Sequence, residues 1–242
     1  TRANLCDPEL PNKARAGRLD EIRRCIACNE GCWGRLYETL PITCALNPSA
    51  GREKELEITP AAVKKRVMVI GAGIAGMEAA RVAALRGHSV SLYERDEQLG
   101  GQLQIAAKAP GRQEMAEPVR YYEYQFKLLG VDVHLGCTVD EKTIEEVKPD
   151  AVIVATGGLP AGGTFPGATR PNVVQARDVL MGKAQAGKKV VLLALDRGME
   201  ALTTADFLAD RACDVEVLVP WGAIAGFQVE PLTLAFVLSR LY

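Results

Sequence analysis

The stretch Arg66–Glu94, RVMVIGAGIAGMEAARVAALRGHSVSLYE, decides the fold. An apolar run of strand length (RVMVI) meets a glycine-rich turn (GAGIAG), and MEAARVAALR follows with helical spacing. Gly87 stops the helix, and SVSLYE reads as a second strand, completing a βαβ unit. Gly71, Gly73 and Gly76 form G-x-G-x-x-G between strand and helix. The first glycine permits the tight turn, the second lets backbone approach a pyrophosphate, and the third allows close helix–strand packing. The N–H groups of Ile74, Ala75 and Gly76, in the first helical turn, would face the diphosphate, where the helix dipole also favours negative charge. Glu94, at the end of the second strand, can accept hydrogen bonds from an adenosine ribose and repel a 2′-phosphate. A glycine turn without a ligand is the alternative; strand, glycines, helix and acid in one register favour the dinucleotide.

Outward from this unit, strands and helices continue to alternate. EMAEPVRYYEYQFKLLG has helical spacing, VDVHLG alternates as a strand, and DAVIVATGG reads as a buried strand. That pattern predicts an α/β fold with a mainly parallel sheet. Beyond the Gly/Pro-rich link LPAGGTFPGATRPN comes a second, partial unit: strand KKVVLLAL, helix MEALTTADFLADR and strand DVEVLVP. Its turn, DRGMEA, has Gly198 where three glycines are expected, so close approach of a pyrophosphate is sterically disfavoured and NAD(P)H binding stays open. So few strands cannot close a core, and further polypeptide is expected after them. The expected boundaries are 1–24, 25–60, 61–160 and 161–242.

Upstream, CIACNEGCWGRLYETLPITC places Cys25, Cys28, Cys32 and Cys44 at spacings x2, x3 and x11. Seven cysteines, four of them clustered, favour metal ligation in a reducing cytoplasm over a disulfide framework. Zinc usually takes two separated C-x2-C pairs, whereas three closely spaced cysteines and a distant fourth suit a [4Fe–4S] cubane; zinc, or no metal, are the alternatives. This region should hold little regular structure, preceded by a helix-like GRLDEIRR. A flavin takes up a hydride and a cluster passes single electrons, so both in one chain would couple two-electron to one-electron chemistry.

Of the 242 residues, 48% are hydrophobic and 24% charged, with a formal net charge of −1. Nothing here favours nucleic acid or an anionic membrane, and no apolar run approaches the roughly 20 residues of a membrane span. The chain reads as soluble and cytoplasmic. TRANLCDPELPNK has neither initiator methionine nor signal-peptide pattern and reads as the middle of a longer polypeptide. His88 and His134 read as strand-edge residues, Cys6, Cys137 and Cys213 as buried or half-buried small side chains, and Trp33 and Tyr37 as packing or as a shield beside the cysteines.

DEQLGGQLQIAAKAPGR resembles the segment that runs along the flavin in proteins with two dinucleotide-binding domains, which implies that Gly101 and Gln102 approach FAD. VATGG resembles the strand end where such enzymes cross to their NAD(P)H domain, bringing in Ala155, Thr156 and Gly157. By the same likeness Arg95, Thr138 and Val139 lie against FAD, or ADP in its place. Taken from DPELPNK through the cysteine loop to the glycine motif, the chain resembles the C-terminal portion of the old yellow enzyme-related FMN/FAD/[4Fe–4S] oxidoreductases, the family of 2,4-dienoyl-CoA reductase and trimethylamine dehydrogenase. The resemblance implies a Rossmann-like FAD domain and a partial second one, behind a cluster loop and a (β/α)8 barrel absent from this chain. It implies that Cys25, Cys28, Cys32 and Cys44 ligate [4Fe–4S], and that Arg2 lies near the phosphate of FMN in the barrel. Implied partners are that barrel, on the same or a separate chain, a small organic substrate, and an electron-transfer protein; an oligomer is expected. Catalytic residues would belong to the barrel, so none is named. A subunit similar to the glutamate synthase small chain is one alternative, disfavoured by a single cysteine cluster, and a structural ADP- and metal-binding module is another.

Overall fold

The computed structural model describes residues 1–195, 198–222, 224 and 229–241. The helices are α1 (Arg2–Cys6), α2 (Leu10–Arg15), α3 (Arg35–Tyr37), α4 (Ile74–Leu85), α5 (Gln102–Ala106), α6 (Glu117–Leu129), α7 (Glu141–Val147), α8 (Ala176–Leu180), α9 (Glu200–Ala209) and α10 (Pro231–Leu241). The strands are β1 (Arg66–Ile70), β2 (Ser89–Tyr93), β3 (Asp132–His134), β4 (Ala151–Val154), β5 (Lys189–Leu193) and β6 (Asp214–Leu218). No helix among the described residues is long and apolar enough to cross a membrane.

The chain packs as two units: Thr1–Ala27, Thr43–Gln104 and Met115–Gly157 form the first, and Cys28–Ile42, Ile105–Glu114 and Gly158–Tyr242 the second. The segment 25–60 is divided between them, and the chain passes from the first unit to the second at Gly157–Gly158.

In the first unit four parallel strands lie in the order β3-β2-β1-β4. Parallel strands need crossover connections, which helices supply; α4 joins β1 to β2 and α6 leads from β2 towards β3. Val67 and Val69 of β1 and Leu92 of β2 pack with Met77 and Ala80 of α4 and with Tyr122 and Phe126 of α6. Gly130, left-handed at φ 68°, ends α6 as a glycine C-cap should. The second unit has a parallel pair, β5-β6. Here α9 contributes Leu202 to a core with Val229 and with Val237 of α10.

Two expectations are corrected. DAVIVATGG is not a fully buried strand: β4 ends the sheet, Ile153 packs on the core, and Val154 is 70% exposed. GRLDEIRR forms only a 3-10 turn, Leu19–Glu21. The Arg23 N–H, which a continuing helix would use, donates instead to Asp7 Oδ2 at 2.9 Å, and Lys13 Nζ occupies the Glu21 carbonyl at 3.0 Å. Between Cys25 and residue 60 regular structure is confined to a π-helical turn, Glu30–Gly34, running into α3, as the scarcity of periodicity indicates.

Candidate functional site

The three glycines between β1 and α4 face different surroundings. Gly71 adopts φ +99°, and a Cβ there would lie 2.4 Å from the Ala155 carbonyl oxygen; at Gly76 it would lie 1.8 Å from the Gly71 carbonyl oxygen. Both are demanded by the chain's own backbone, where no side chain could retreat. Gly73 differs: its φ of −67° and ψ of 178° suit any residue, and a Cβ would meet nothing within 4 Å. It occupies the N-cap of α4 with no side-chain cap, so the first-turn N–H groups keep their capacity for an anion. Internal packing gives no reason for glycine here; a ligand passing close to the backbone does.

Glu94, 7% exposed, ties the surrounding loops together. Its Oε2 accepts the Ala72 N–H at 2.7 Å, and Oε1 accepts the Asp96 N–H at 3.0 Å. The Glu94 carbonyl accepts the Cys137 N–H at 2.8 Å, which hooks the segment containing exposed Thr138 and half-buried Val139 beside the end of β2. Gly100 donates its N–H to the Ala72 carbonyl at 2.8 Å, and a Cβ on Gly101 would lie 3.3 Å from Gly73 Cα. The Ala155 N–H bonds to the Ile70 carbonyl at 2.8 Å, bringing Ala155 and Thr156 against Gly71. Gly71, Gly73, Ile74, Ala75, Gly76, Glu94, Gly101, Ala155 and Thr156 thus meet around the carboxyl ends of β1, β2 and β4, where open α/β sheets bind ligands. Gln102, at the start of α5, and Arg95 are exposed; Gly157 is left-handed in open space; Arg2 is exposed on α1. Gly73 makes the cradle fit the diphosphate of FAD or ADP.

Behind the glycine turn, Glu78 of α4 holds Arg81 through two 2.8 Å hydrogen bonds and accepts the Tyr122 hydroxyl at 2.9 Å. Burial pushes the Glu78 carboxyl upward, but Arg81 outweighs it and leaves the carboxyl below its ordinary range. Buried Arg23 lies 4.9 Å from the Tyr121 ring centroid and donates to the Tyr121 hydroxyl at 3.2 Å and the Leu46 carbonyl at 2.8 Å. The sequence reading missed this anchoring role: nothing local distinguishes Arg23 from Arg24, which is exposed.

None of the seven cysteines, all of them among the described residues, is joined in a disulfide. Cys25 accepts the Ala27 N–H at 3.4 Å, and Ala27 and Asn29, either side of Cys28, are left-handed at φ 52° and 60°. Cys32 Sγ donates to the Asn29 carbonyl at 3.8 Å. The Cys44 thiol is lowered to about 6 by a hydrogen bond from Cys6, by the N–H groups of Leu46 and Asn47 and by the Arg23 charge, against the effect of burial. Cys6, 1% exposed, is driven upward by the same contact and by burial. Cys137 and Cys213 are half-buried. For Cys44, backbone N–H groups and a nearby guanidinium favour thiolate, the ligating form, and Cys25 carries a backbone N–H on its sulfur of the kind that accompanies a ligating sulfur. Cys25 and Cys44 belong to the first unit, Cys28 and Cys32 to the second. Among the described residues no three His, Cys, Asp or Glu side chains are gathered as a metal-holding group.

In the second unit, Asp196 and Arg197 of the β5–α9 turn lie outside the described residues. Met199 caps α9 without a side-chain hydrogen bond. His88 Nδ1 accepts the Lys65 N–H at 3.1 Å, and the His134 ring stacks on Tyr93 with centroids 4.4 Å apart, as suits strand-edge residues. Trp33 and Tyr37 are 42% and 58% exposed.

Comparison with known proteins agrees with this geometry. Residues 65–218, from the start of β1 to the end of β6, match the family model of the pyridine nucleotide-disulphide oxidoreductases. An NADH oxidase of Thermoanaerobacter brockii is 42% identical over 96% of this chain and 36% of its own length. A cinnamate reductase of Clostridium sporogenes is 38% identical over 90% of this chain and 32% of its own. The solved structure of 2-naphthoyl-CoA reductase with 2-naphthoyl-CoA superposes with a TM-score of 0.93 at 34% identity, covering 99% of this chain and 37% of that one. The chain therefore spans about a third of the length of the relatives it matches. It belongs to the pyridine nucleotide-disulphide oxidoreductase family, and with it to the old yellow enzyme-related flavin oxidoreductases that those relatives represent.

Proposed function

We propose that this chain is the electron-transfer portion of an iron–sulfur flavoprotein oxidoreductase. It moves electrons between FAD, held on the Gly71–Gly76 turn, and a [4Fe–4S] cluster ligated by Cys25, Cys28, Cys32 and Cys44. It serves an FMN-bearing barrel, on the same polypeptide or a separate one, that reduces or oxidises a small organic substrate such as an enoyl thioester, an enone or an amine. The observation that carries the reading is the empty space at Gly73, on an uncapped helix N-terminus, with Glu94 fixed beside it. When bound, the flavin supplies hydride chemistry and the cluster single-electron transfer.

The chain's own contribution is placement. The N–H groups of Ile74, Ala75 and Gly76 neutralise the diphosphate, and Glu94 presents a buried carboxylate to the ribose hydroxyls. Gly101 lets the following loop lie over Gly73. At Cys44, N–H···S contacts and the Arg23 charge favour the ligating form of the sulfur.

Anaerobic purification followed by visible and EPR spectroscopy, flavin chromatography, and iron and sulfide analysis tests the reading. The expected result is FAD, iron and acid-labile sulfide together, with a spectrum that bleaches on reduction. Protein bearing ADP or zinc and no bleachable chromophore would refute it in favour of a structural module. Titration with NADH and NADPH addresses the second unit: slow or absent bleaching is expected from its glycine-poor turn, and rapid stoichiometric bleaching overturns that expectation.

A further inference from the structure

Glu230 is 3% exposed and immediately precedes Pro231, the first residue of α10. Its Oε1 accepts the Leu232 N–H at 2.9 Å, and its Oε2 accepts the Thr233 N–H at 2.9 Å and the Thr233 hydroxyl at 2.7 Å. Glutamate is not among the favoured N-cap residues; Ser, Thr, Asp or Asn would satisfy these donors with a shorter side chain. Here the length serves a second partner, because Oε2 also accepts the side-chain amide of Asn29 at 3.3 Å.

Asn29 lies between Cys28 and Cys32, is 9% exposed and is left-handed at φ 60°, ψ −9°, a conformation that asparagine tolerates better than most residues. Its carbonyl accepts the Gly34 N–H at 2.9 Å and the Cys32 thiol at 3.8 Å, so the position of Asn29 sets the turn that carries Cys32. Glu230 is itself well anchored: α10 packs through Val237, Leu234 and Leu238 onto Leu202 of α9. These residues all belong to the second unit.

We infer that Glu230 is a positioning residue for the cysteine loop: it fixes Asn29, and through Asn29 the Cys28–Cys32 turn, for metal ligation. The inference rests on the cluster reading above. A buried carboxylate bonded to a residue that lies between two of the proposed ligands has a second effect, since its negative charge opposes reduction of a bound cluster. The Thr233, Leu232 and Asn29 hydrogen bonds outweigh burial and hold the Glu230 carboxyl below its ordinary range, so the charge is present at neutral pH.

The test uses the full chain purified anaerobically, with iron and sulfide content, the rate of iron loss to a chelator, and the EPR spectrum and midpoint potential of the reduced centre as readouts. Asn29→Asp sets two carboxylates against each other and should speed iron loss at least tenfold, roughly the loss of one charge-assisted hydrogen bond. Adding Glu230→Gln to Asn29→Asp removes the repulsion between carboxylates, although the Gln amide gives up the acceptor that Thr233 uses, and should recover part of the retention. Glu230→Gln alone should move the midpoint potential to a more positive value. Where it fails to fold, Asn29→Gly, which keeps the helix cap and the left-handed backbone, should lose iron faster than the parent. Parent protein that binds iron, with variants equal to it in retention, spectrum and potential, would overturn the inference and leave the cluster reading intact. Parent protein without iron would overturn both.

Discussion

Gly73→Ala separates what the fold requires from what the ligand requires. The φ, ψ pair at Gly73 suits alanine and the new methyl would meet no atom within 4 Å, so the native state gains no clash. Alanine also narrows the unfolded ensemble, which at a compatible site stabilises by about 0.4–1 kcal/mol. The FAD-free variant should therefore melt at or slightly above the temperature of the parent. Binding should move the other way, because the methyl occupies the space through which a diphosphate reaches the first turn of α4. Loss of one charge-assisted hydrogen bond there, roughly 1.5–3 kcal/mol, raises Kd by a factor of about 10–150. Thermal melts of flavin-free protein and a titration followed by quenching of FAD fluorescence give the two numbers. An unchanged Kd would show that the open space at Gly73 is not the diphosphate cradle, and a free variant weaker by more than about 1 kcal/mol would show that packing requires glycine there.

Gly76→Ala is the opposite case: its Cβ falls 1.8 Å from the Gly71 carbonyl oxygen, and the forced shift of α4 should lower unfolding free energy by about 3 kcal/mol in urea titrations at any flavin concentration. Glu78→Gln removes the charge that Arg81 and Tyr122 engage and should cost about 3 kcal/mol near pH 7. Because the Glu78 carboxyl lies below its ordinary range, its contribution is complete above that range and is lost as pH falls through the depressed value; the stability curves of parent and variant should therefore converge in acid. In metal-free protein the Cys44 thiolate should titrate with a pKa of about 6, seen as absorbance near 240 nm that disappears as pH falls and is missing in Cys44→Ser. Cys6→Ala should move that titration upward by removing the thiol hydrogen bond to Cys44.

The βαβ unit was legible because its cues are local. Period, glycine spacing, a helix stop at Gly87 and an acid at Glu94 all lie between Arg66 and Glu94, and the structure realises them as β1, α4 and β2. What stayed hidden depended on partners distant in the chain. The helix expected at GRLDEIRR yields because Asp7 takes the Arg23 N–H, a contact that no window around residue 20 contains. The exposure of Val154 follows from the place of β4 at the end of the sheet, and a run of apolar residues does not reveal strand order. The cysteines were readable as a set, yet the Cys6 thiol on Cys44 and the Glu230 carboxylate on Asn29 join residues far apart in sequence. Pro231 with Thr233 after Glu230 is a helix-start signal, but it says nothing of the second task of that carboxylate.

Both oxygens of the Glu94 side chain are already engaged by main-chain amides, those of Ala72 and Asp96. A redesign that replaced it with a neutral or basic residue, in order to admit a 2′-phosphorylated coenzyme, would also unhook the turn on which that coenzyme must rest. With Glu94 reading the ribose as proposed, preference for one nucleotide and integrity of the cradle would be vested in a single side chain, so a switch of coenzyme would require a substitute acceptor for the Ala72 N–H before any gain in recognition could be realised.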